Sequence, residues 1–192
     1  MRTDLTTGRL LIKIPGVGDA ARLAAYVTRN RDHFATWAQK RPDSYYTEAH
    51  WDERLPAYLE ELTRGNAARF MVIARAQPEG PMIGEANLFH IIRGGFQACY
   101  LSYSLDREQT GRGLMTEALS AVLDYAFDDL GLHRVMANYM PTNERSGRLL
   151  RRLGFQVEGY ARDYLKIADK WEDHIMTALT NPRNELSSTK RR

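Results

Sequence analysis

The stretch EQTGRGLMTEAL, Glu108 to Leu119, sets Gly111 and Gly113 on either side of Arg112, directly ahead of a run with helical spacing, and Gln109 to Leu114 includes no acidic residue. A helix starting there leaves its first backbone N–H groups unpaired at the positive end of its dipole, which favours an anion. The glycines let the main chain approach a phosphate without a Cβ in the way, and Arg112 adds a charge. Glycines before a helix also make ordinary turns, so the loop alone leaves both readings open. Two other phosphate signatures do not apply: the chain has no Gly-x-x-x-x-Gly-Lys-Ser/Thr, and the strand before the loop does not lie in a parallel βαβ unit with a suitably placed acid.

Other reactive side chains are sparse. Cys99 is the one cysteine and lies in the apolar run FQACYLSYSL, so there is no internal disulfide and a buried, inert thiol is expected. No His, Cys and acid group has metal-ligand spacing, and no metal is expected. His133 and His174 lie at or in strands and read as packing or surface residues, whereas His90 is a candidate for a substrate groove. Arg145, Arg148 and Arg152 share one face of a short helix near the loop, where Arg148 is a candidate to meet a phosphate.

These residues need elements to carry them. Leu114, Met115, Ala118, Leu119, Val122, Leu123, Ala126, Phe127 and Leu130 form an apolar stripe that excludes Glu117, Ser120, Asp124 and Asp128, which predicts an amphipathic helix packed on a sheet. Ahead of it RFMVIA, MIGEANLFHII and FQACYLSYSL read as an antiparallel meander, broken by Pro78 to Pro81 and by Gly94-Gly95. Behind it come a strand HRVMANYM, a short helix NERSGRLLRRL capped by Asn143, and a terminal strand pair FQVEGYARDYLKI and KWEDHIMTALT. The N-terminal part reads as a strand GRLLIKIP, a helix from Asp19 to Arg29, an irregular helical stretch holding Trp37, and a helix TEAHWDERLPAYLEEL capped by Thr47 with Pro56 inside it.

With 192 residues, 43% of them hydrophobic and 27% charged, one domain over 1–180 is expected, followed by a basic, flexible tail over 181–192, NPRNELSSTKRR. No apolar run reaches the roughly 18 to 20 residues that cross a bilayer, and the N-terminus lacks a signal-peptide pattern, so a cytoplasmic protein without a membrane partner is expected. A formal charge of +3 permits an acidic partner or a ribosomal setting without requiring either.

The succession YLSYSL, EQTGRG, LMTEAL, HRVMANYM and NERSGRLLRRLGF resembles the GNAT acetyltransferases, and the likeness extends from TGRLLIKI to DHIMTALT. The strings FHIIRGGFQACYLSYSL and MANYMPTNERSGRLLRRLGFQVEGYARDYL further resemble the branch of that family that acetylates the N-termini of ribosomal proteins. The resemblance implies an α/β (α+β) GNAT fold: a mixed, strongly twisted and bent sheet of about seven strands flanked by about four helices, two strands splaying apart to admit a pantetheine arm. It implies acetyl-CoA as co-substrate and direct transfer, in a ternary complex, to the N-terminal alanine of the fifth small-subunit ribosomal protein, free or on assembling ribosomes, with no sequence-specific nucleic-acid binding. A small-amine acetyltransferase (antibiotic or polyamine) and a non-catalytic acetyl-CoA-binding assembly factor are the alternatives.

Carried onto this chain, the resemblance assigns cofactor contacts to Tyr103, Ser104 and Leu105, to Gln109, Gly111, Arg112, Gly113, Leu114, Met115 and Thr116, and to Asn143 and Ser146. Two positions depart from the family pattern: Glu108 stands where the motif has Gln or Arg, and Leu150 where many members carry a tyrosine that serves the leaving thiolate. The branch has a serine one turn earlier, which Ser146 matches. Acetylating an α-amine, of pKa about 8, also needs a proton acceptor. Asp163 matches the branch's proposed base and is the first choice, with Glu158 and Glu85 behind it, while Glu117 is expected to support its helix end. Trp37, Tyr164 and Glu85 are the expected substrate contacts.

Overall fold

In the computed structural model, which describes residues 2–183, strand β3 (Ala68–Ala74) sets Phe70 and Val72 in one cluster of buried side chains and Met71 and Ile73 in another. Successive strand residues point to opposite faces, so an unbroken apolar run needs a covering layer on each side. Helices α1 (Ala20–Arg29) and α3 (Glu48–Thr63) supply one layer, through Leu23, Tyr26, Trp51 and Leu55. Helix α4 (Leu114–Asp124) supplies the other with the predicted stripe, and Leu119 and Val122 are fully buried. Helix α5 (Glu144–Arg152) adds Leu150 to that layer.

Between the layers lies one sheet of eight strands in the order β1-β2-β3-β4-β5-β6-β8-β7. Its strands are β1 (Asp4–Thr6), β2 (Leu10–Lys13), β3, β4 (Met82–Ile92), β5 (Ala98–Leu105), β6 (Arg134–Met136), β7 (Gln156–Ile167) and β8 (Lys170–Thr180). All neighbours are antiparallel except β5 and β6, which α4 connects as a crossover. The expected fold class is therefore observed, with one strand and one helix more than expected. The extra strand is β1, which pairs with β2 in register Leu5 to Ile12; the extra helix is α2 (Arg31–Ala35), separated from α1 by Asn30 and followed by Trp37.

Local chemistry accounts for the helix ends. Thr47 Oγ1 accepts from the His50 amide at 3.4 Å and caps α3, as expected. Asp19 precedes α1 without capping it; its carboxylate instead accepts from the Gly16 amide at 2.9 Å. The helix α4 closes in a π turn, with the Leu130 amide donating to Tyr125 O. Beyond β8, Asn181 Nδ2 donates to Leu132 O and Arg183 pairs with Asp124 and Asp128. Ordered contacts thus continue to Arg183, past the boundary expected for the tail, and the rest of that expectation lies outside the described residues.

The β1–β2 hairpin is fastened to α4 by one carboxylate. Glu117 accepts from Thr7 Oγ1 at 2.6 Å, the Arg9 amide at 2.8 Å and Arg9 Nε at 2.7 Å. These bonds, the Thr7 hydroxyl first, hold its carboxyl below the usual range against a smaller opposing effect of burial. Because the folded value is the lower one, the stabilisation is complete above the unfolded pKa of about 4.3 and is lost as pH falls through the folded value. Thermal unfolding between pH 7 and pH 3 should show Glu117→Gln melting below the wild-type protein at neutral pH and the gap closing toward pH 3. A gap independent of pH would mean that the ionised carboxylate is not what holds the hairpin.

Candidate active site

The parallel pairing of β5 with β6 lasts only from Ala98–Arg134 to Tyr100–Met136. After Met136 the chain turns to β8 instead: the Ala137 amide donates to Thr177 O at 3.0 Å, and Tyr139 bridges Ile175. Leu101 to Leu105 therefore have no strand neighbour on that side, and a cleft of about 1240 Å³ opens there. It reaches from the α4 N-terminus, past Tyr103, Ser104 and Leu105, to Trp37 and Tyr164.

Gly111 (φ 79°) and Gly113 (φ 74°) are left-handed, as the bare turn into α4 requires, and Gly113 stands at the cap position with no side chain bonded to the first turn. The amides of that turn thus remain open to an anion, and Gly111, Gly113, Leu114, Met115 and Thr116 all line the cleft. The loop is braced from outside. Asp106 accepts from Arg29 Nε at 2.5 Å and from the Glu108 amide at 3.1 Å, and the buried Asn30 accepts from the Arg107 amide at 3.0 Å. Burial alone would raise the Asp106 carboxyl, but Arg29 and these amide bonds outweigh it and hold it low. Arg9 Nη1 donates to Arg112 O at 3.0 Å. Of the loop residues expected to contact the cofactor, Gln109 and Arg112 do not line the cleft: Arg112 turns to Gln109 at 3.3 Å, and Gln109 lines a hollow of about 240 Å³ behind the loop.

Opposite the loop, α5 begins where Asn143 Oδ1 accepts from the Ser146 amide at 3.1 Å. Ser146 lies 2.6 Å, oxygen to oxygen, from the hydroxyl of Tyr103 on β5, a contact not anticipated from the sequence. Burial pushes the Tyr103 phenol up to about 12, although its bond to Ser146 works the other way. It stays protonated, so the pair is a bond between two neutral hydroxyls in which either oxygen can be the donor. Tyr139 lies flat against α5, because a Cβ on Gly147 would meet its ring at 2.8 Å. Leu150 is packed in the core, so its side chain takes no part in the cleft. Arg148 lines the cleft but is already paired with Glu144 at 2.8 Å.

Residues of opposite parity on β5 face the other wall. Tyr26 and Ser104 hydroxyls lie 2.8 Å apart, and Ser104 donates to Glu85 at 3.0 Å. Tyr26 is held well above its usual range by burial and then by the Glu85 charge, and because the one Ser104 proton goes to Glu85, Tyr26 is the donor to Ser104. Glu85 is therefore one hydrogen bond behind the cleft rather than in it. Tyr164 lines the cleft as expected and accepts from Asn138 Nδ2 at 3.1 Å; Trp37 forms the rim, and His90 is also a lining residue.

Two expected acids are not brought there. Between the pairs Ala161–His174 and Leu165–Glu172, β7 has two residues more than β8, and this bulge turns Tyr164 to the cleft and leaves Asp163 exposed outside it. Asp163 has φ 46°, and its amide donates to Asp173 at 2.9 Å. Glu158 is exposed and paired with Arg134. A residue passed over as packing, His174, is buried and lines the cleft. Its signal in the sequence is only its place on the cleft-facing parity of β8. Among the described residues no group of His, Cys and acids is arranged to hold a metal ion, and no helix is long and apolar enough to cross a membrane.

Residues 9–156 match the acetyltransferase (GNAT) domain family. The chain is 45% identical over 181 residues to the [ribosomal protein uS5]-alanine N-acetyltransferase of Escherichia coli K12, covering 94% of this chain and 92% of that one. The crystal structure of the ribosomal-protein-S5-alanine acetyltransferase from Vibrio fischeri superposes with a TM-score of 0.90 at 36% identity, over 94% of this chain and 98% of that one. Mycobacterium smegmatis RimJ, solved in complex with CoA-disulfide, shares the fold with a TM-score of 0.83 at 22% identity, over 95% of this chain and 90% of that one.

The contact between Gly147 and Tyr139 yields a direct test. Gly147→Ala inserts a methyl group against the ring and should cost about 1 to 3 kcal/mol. Calorimetry should register it as a fall in Tm of several degrees. Adding Tyr139→Ala, which makes room for the methyl, should restore most of the methyl's cost relative to Tyr139→Ala alone; an additive loss would place the strain elsewhere.

Proposed function

The chain belongs to the GNAT acetyltransferase family, and on that premise we propose that it transfers the acetyl group of acetyl-CoA to the N-terminal alanine of ribosomal protein uS5. The single observation that carries this reading is the 45% identity to an enzyme of that name across almost the whole of both chains. The site is chemically suited to it. Open amides from Gly113 to Thr116 suit a pyrophosphate, and the unpaired run of β5 offers its backbone to a pantetheine arm. Ser146 bonds Tyr103, and in this reading Tyr103 donates while Ser146 turns its own proton to the sulfur and stabilises the thiolate as the C–S bond breaks. A thiolate of pKa about 8.5 needs a hydrogen bond more than a full proton transfer, which a serine hydroxyl is able to give. Trp37 and Tyr164 flank the entrance for a protein N-terminus. The substrate meets the enzyme in the cytoplasm, where ribosomal proteins are made, either free or on an assembling ribosome.

Incubation with acetyl-CoA and purified uS5, read by intact mass and N-terminal peptide mapping, should show one acetyl group on the first alanine. Ser146→Ala and Tyr103→Phe should each lower kcat by about 10-fold to 100-fold with little change in CoA affinity. Asp163→Asn, which keeps a residue tolerant of positive φ, should leave the rate unchanged. Transfer only to small amines would overturn the ribosomal substrate, and tight CoA binding without any transfer would overturn catalysis.

A further inference from the structure

We infer that His174, through Nε2, takes the proton from the attacking amine. The inference rests on the acetyltransferase reading and concerns the step for which none of the expected acids lines the cleft.

His174 is 5% exposed, and what it exposes borders the cleft. Its Nδ1 lies 3.0 Å from the carbonyl oxygen of Glu172. A carbonyl oxygen only accepts, so Nδ1 carries the hydrogen, and in the neutral ring Nε2 is left as an acceptor. No side chain among the described residues bonds Nε2. The ring packs on Tyr164 at 5.3 Å between centroids, and Tyr164 is tied to Asn138. On β5, Tyr100 and Tyr103 project to opposite faces of the strand. His174, Tyr164, Asn138 and Tyr100 line the same cleft as Tyr103 and Ser146. The hydroxyl proposed to serve the sulfur and the imidazole proposed to take the proton thus border one cleft.

The step balances without any further reactant. The amine nitrogen forms a bond to the carbonyl carbon and gives its proton to Nε2; the C–S bond breaks, and the electron pair leaves with sulfur toward Ser146. The imidazolium then loses its proton to solvent through the cleft. The titratable and charged groups about the ring are Tyr164 on β7, Tyr100 on β5, which interacts with Tyr164, and Glu172 and Asp173 on β8, with Arg162 acting on Asp173. The Asp173 carboxyl is held low by the Tyr160 hydroxyl and then by the Asp163 amide, so it remains an anion beside the imidazolium.

The decisive variant is His174→Asn, whose amide N–H reproduces the Nδ1 donor to Glu172 while removing Nε2. It should fold with a Tm near that of the wild-type protein and bind CoA normally, yet lose about 100-fold or more in kcat. The wild-type protein should show an acid limb in kcat/KM, and this variant should lack it. In His174→Ala, added imidazole should restore part of the rate in proportion to its free-base concentration. Glu85→Gln should retain the limb. A His174→Asn variant with wild-type rate, or a slow His174→Ala that imidazole does not rescue, overturns the assignment; loss of the limb in Glu85→Gln instead assigns the base to the Ser104–Glu85 bond and likewise overturns it. Any acceptor amine that the wild-type protein acetylates serves for these measurements, so failure with uS5 alone bears on the substrate and not on His174.

Discussion

The separation of β5 from β6 after three paired residues is the constraint on which the rest of the molecule depends. A parallel ladder is continued only if both strands keep their direction, and here the chain after Met136 gives its backbone bonds to β8. The unpaired edge of β5 is polar main chain that a buried interior would not tolerate without partners, so the gap has to be a solvent-filled cleft or be occupied by a ligand with amide groups of its own. The two layers of helices exist on either side of that gap because the sheet is apolar on both faces: α5 sends Ser146 into it, and from α1 the buried Tyr26 bonds the cleft residue Ser104 from behind.

The loop before α4 is held by groups that do not line the cleft. Arg29, Asp106 and Asn30 tie its first residues to α1 and β4, while Arg9 and Glu117 tie its far side to the N-terminal hairpin. Charge-assisted bonds of this kind are shorter and stronger than neutral ones, and several act on main-chain atoms. Their effect is to fix left-handed glycines in place without occupying the amides that those glycines expose. A capping serine or aspartate at Gly113 would have satisfied the helix and closed the anion site with the same bond.

Much of this was legible in the sequence where one element alone sets the outcome. The apolar stripe of α4, the Thr47 cap, the Asn143 cap and the glycines around Arg112 are local patterns, and each appears in the fold as the pattern demands. What was not legible depends on two elements meeting. Tyr103 and Ser146 are 43 residues apart and touch only because α5 crosses the end of β5. Asp163 was expected at the cleft because it matches the branch's proposed base on a strand bordering the site, and the bulge after Ala161, whose extra residues change which side chains face inward, is not visible in such a match. His174 looked like one more strand residue until the Glu172 carbonyl fixed which ring nitrogen carries hydrogen.

The bare cap of α4 has a thermodynamic consequence beyond ligand recognition. A helix end with no side-chain cap is the place where a helix frays first, and the uncapped amides of α4 suit an anion. Occupancy and folding are thereby linked: a ligand at a hundredfold excess over its Kd adds about 2.7 kcal/mol to the stability of the whole chain. An anion that binds there stabilises the folded chain whether or not it takes part in any chemistry.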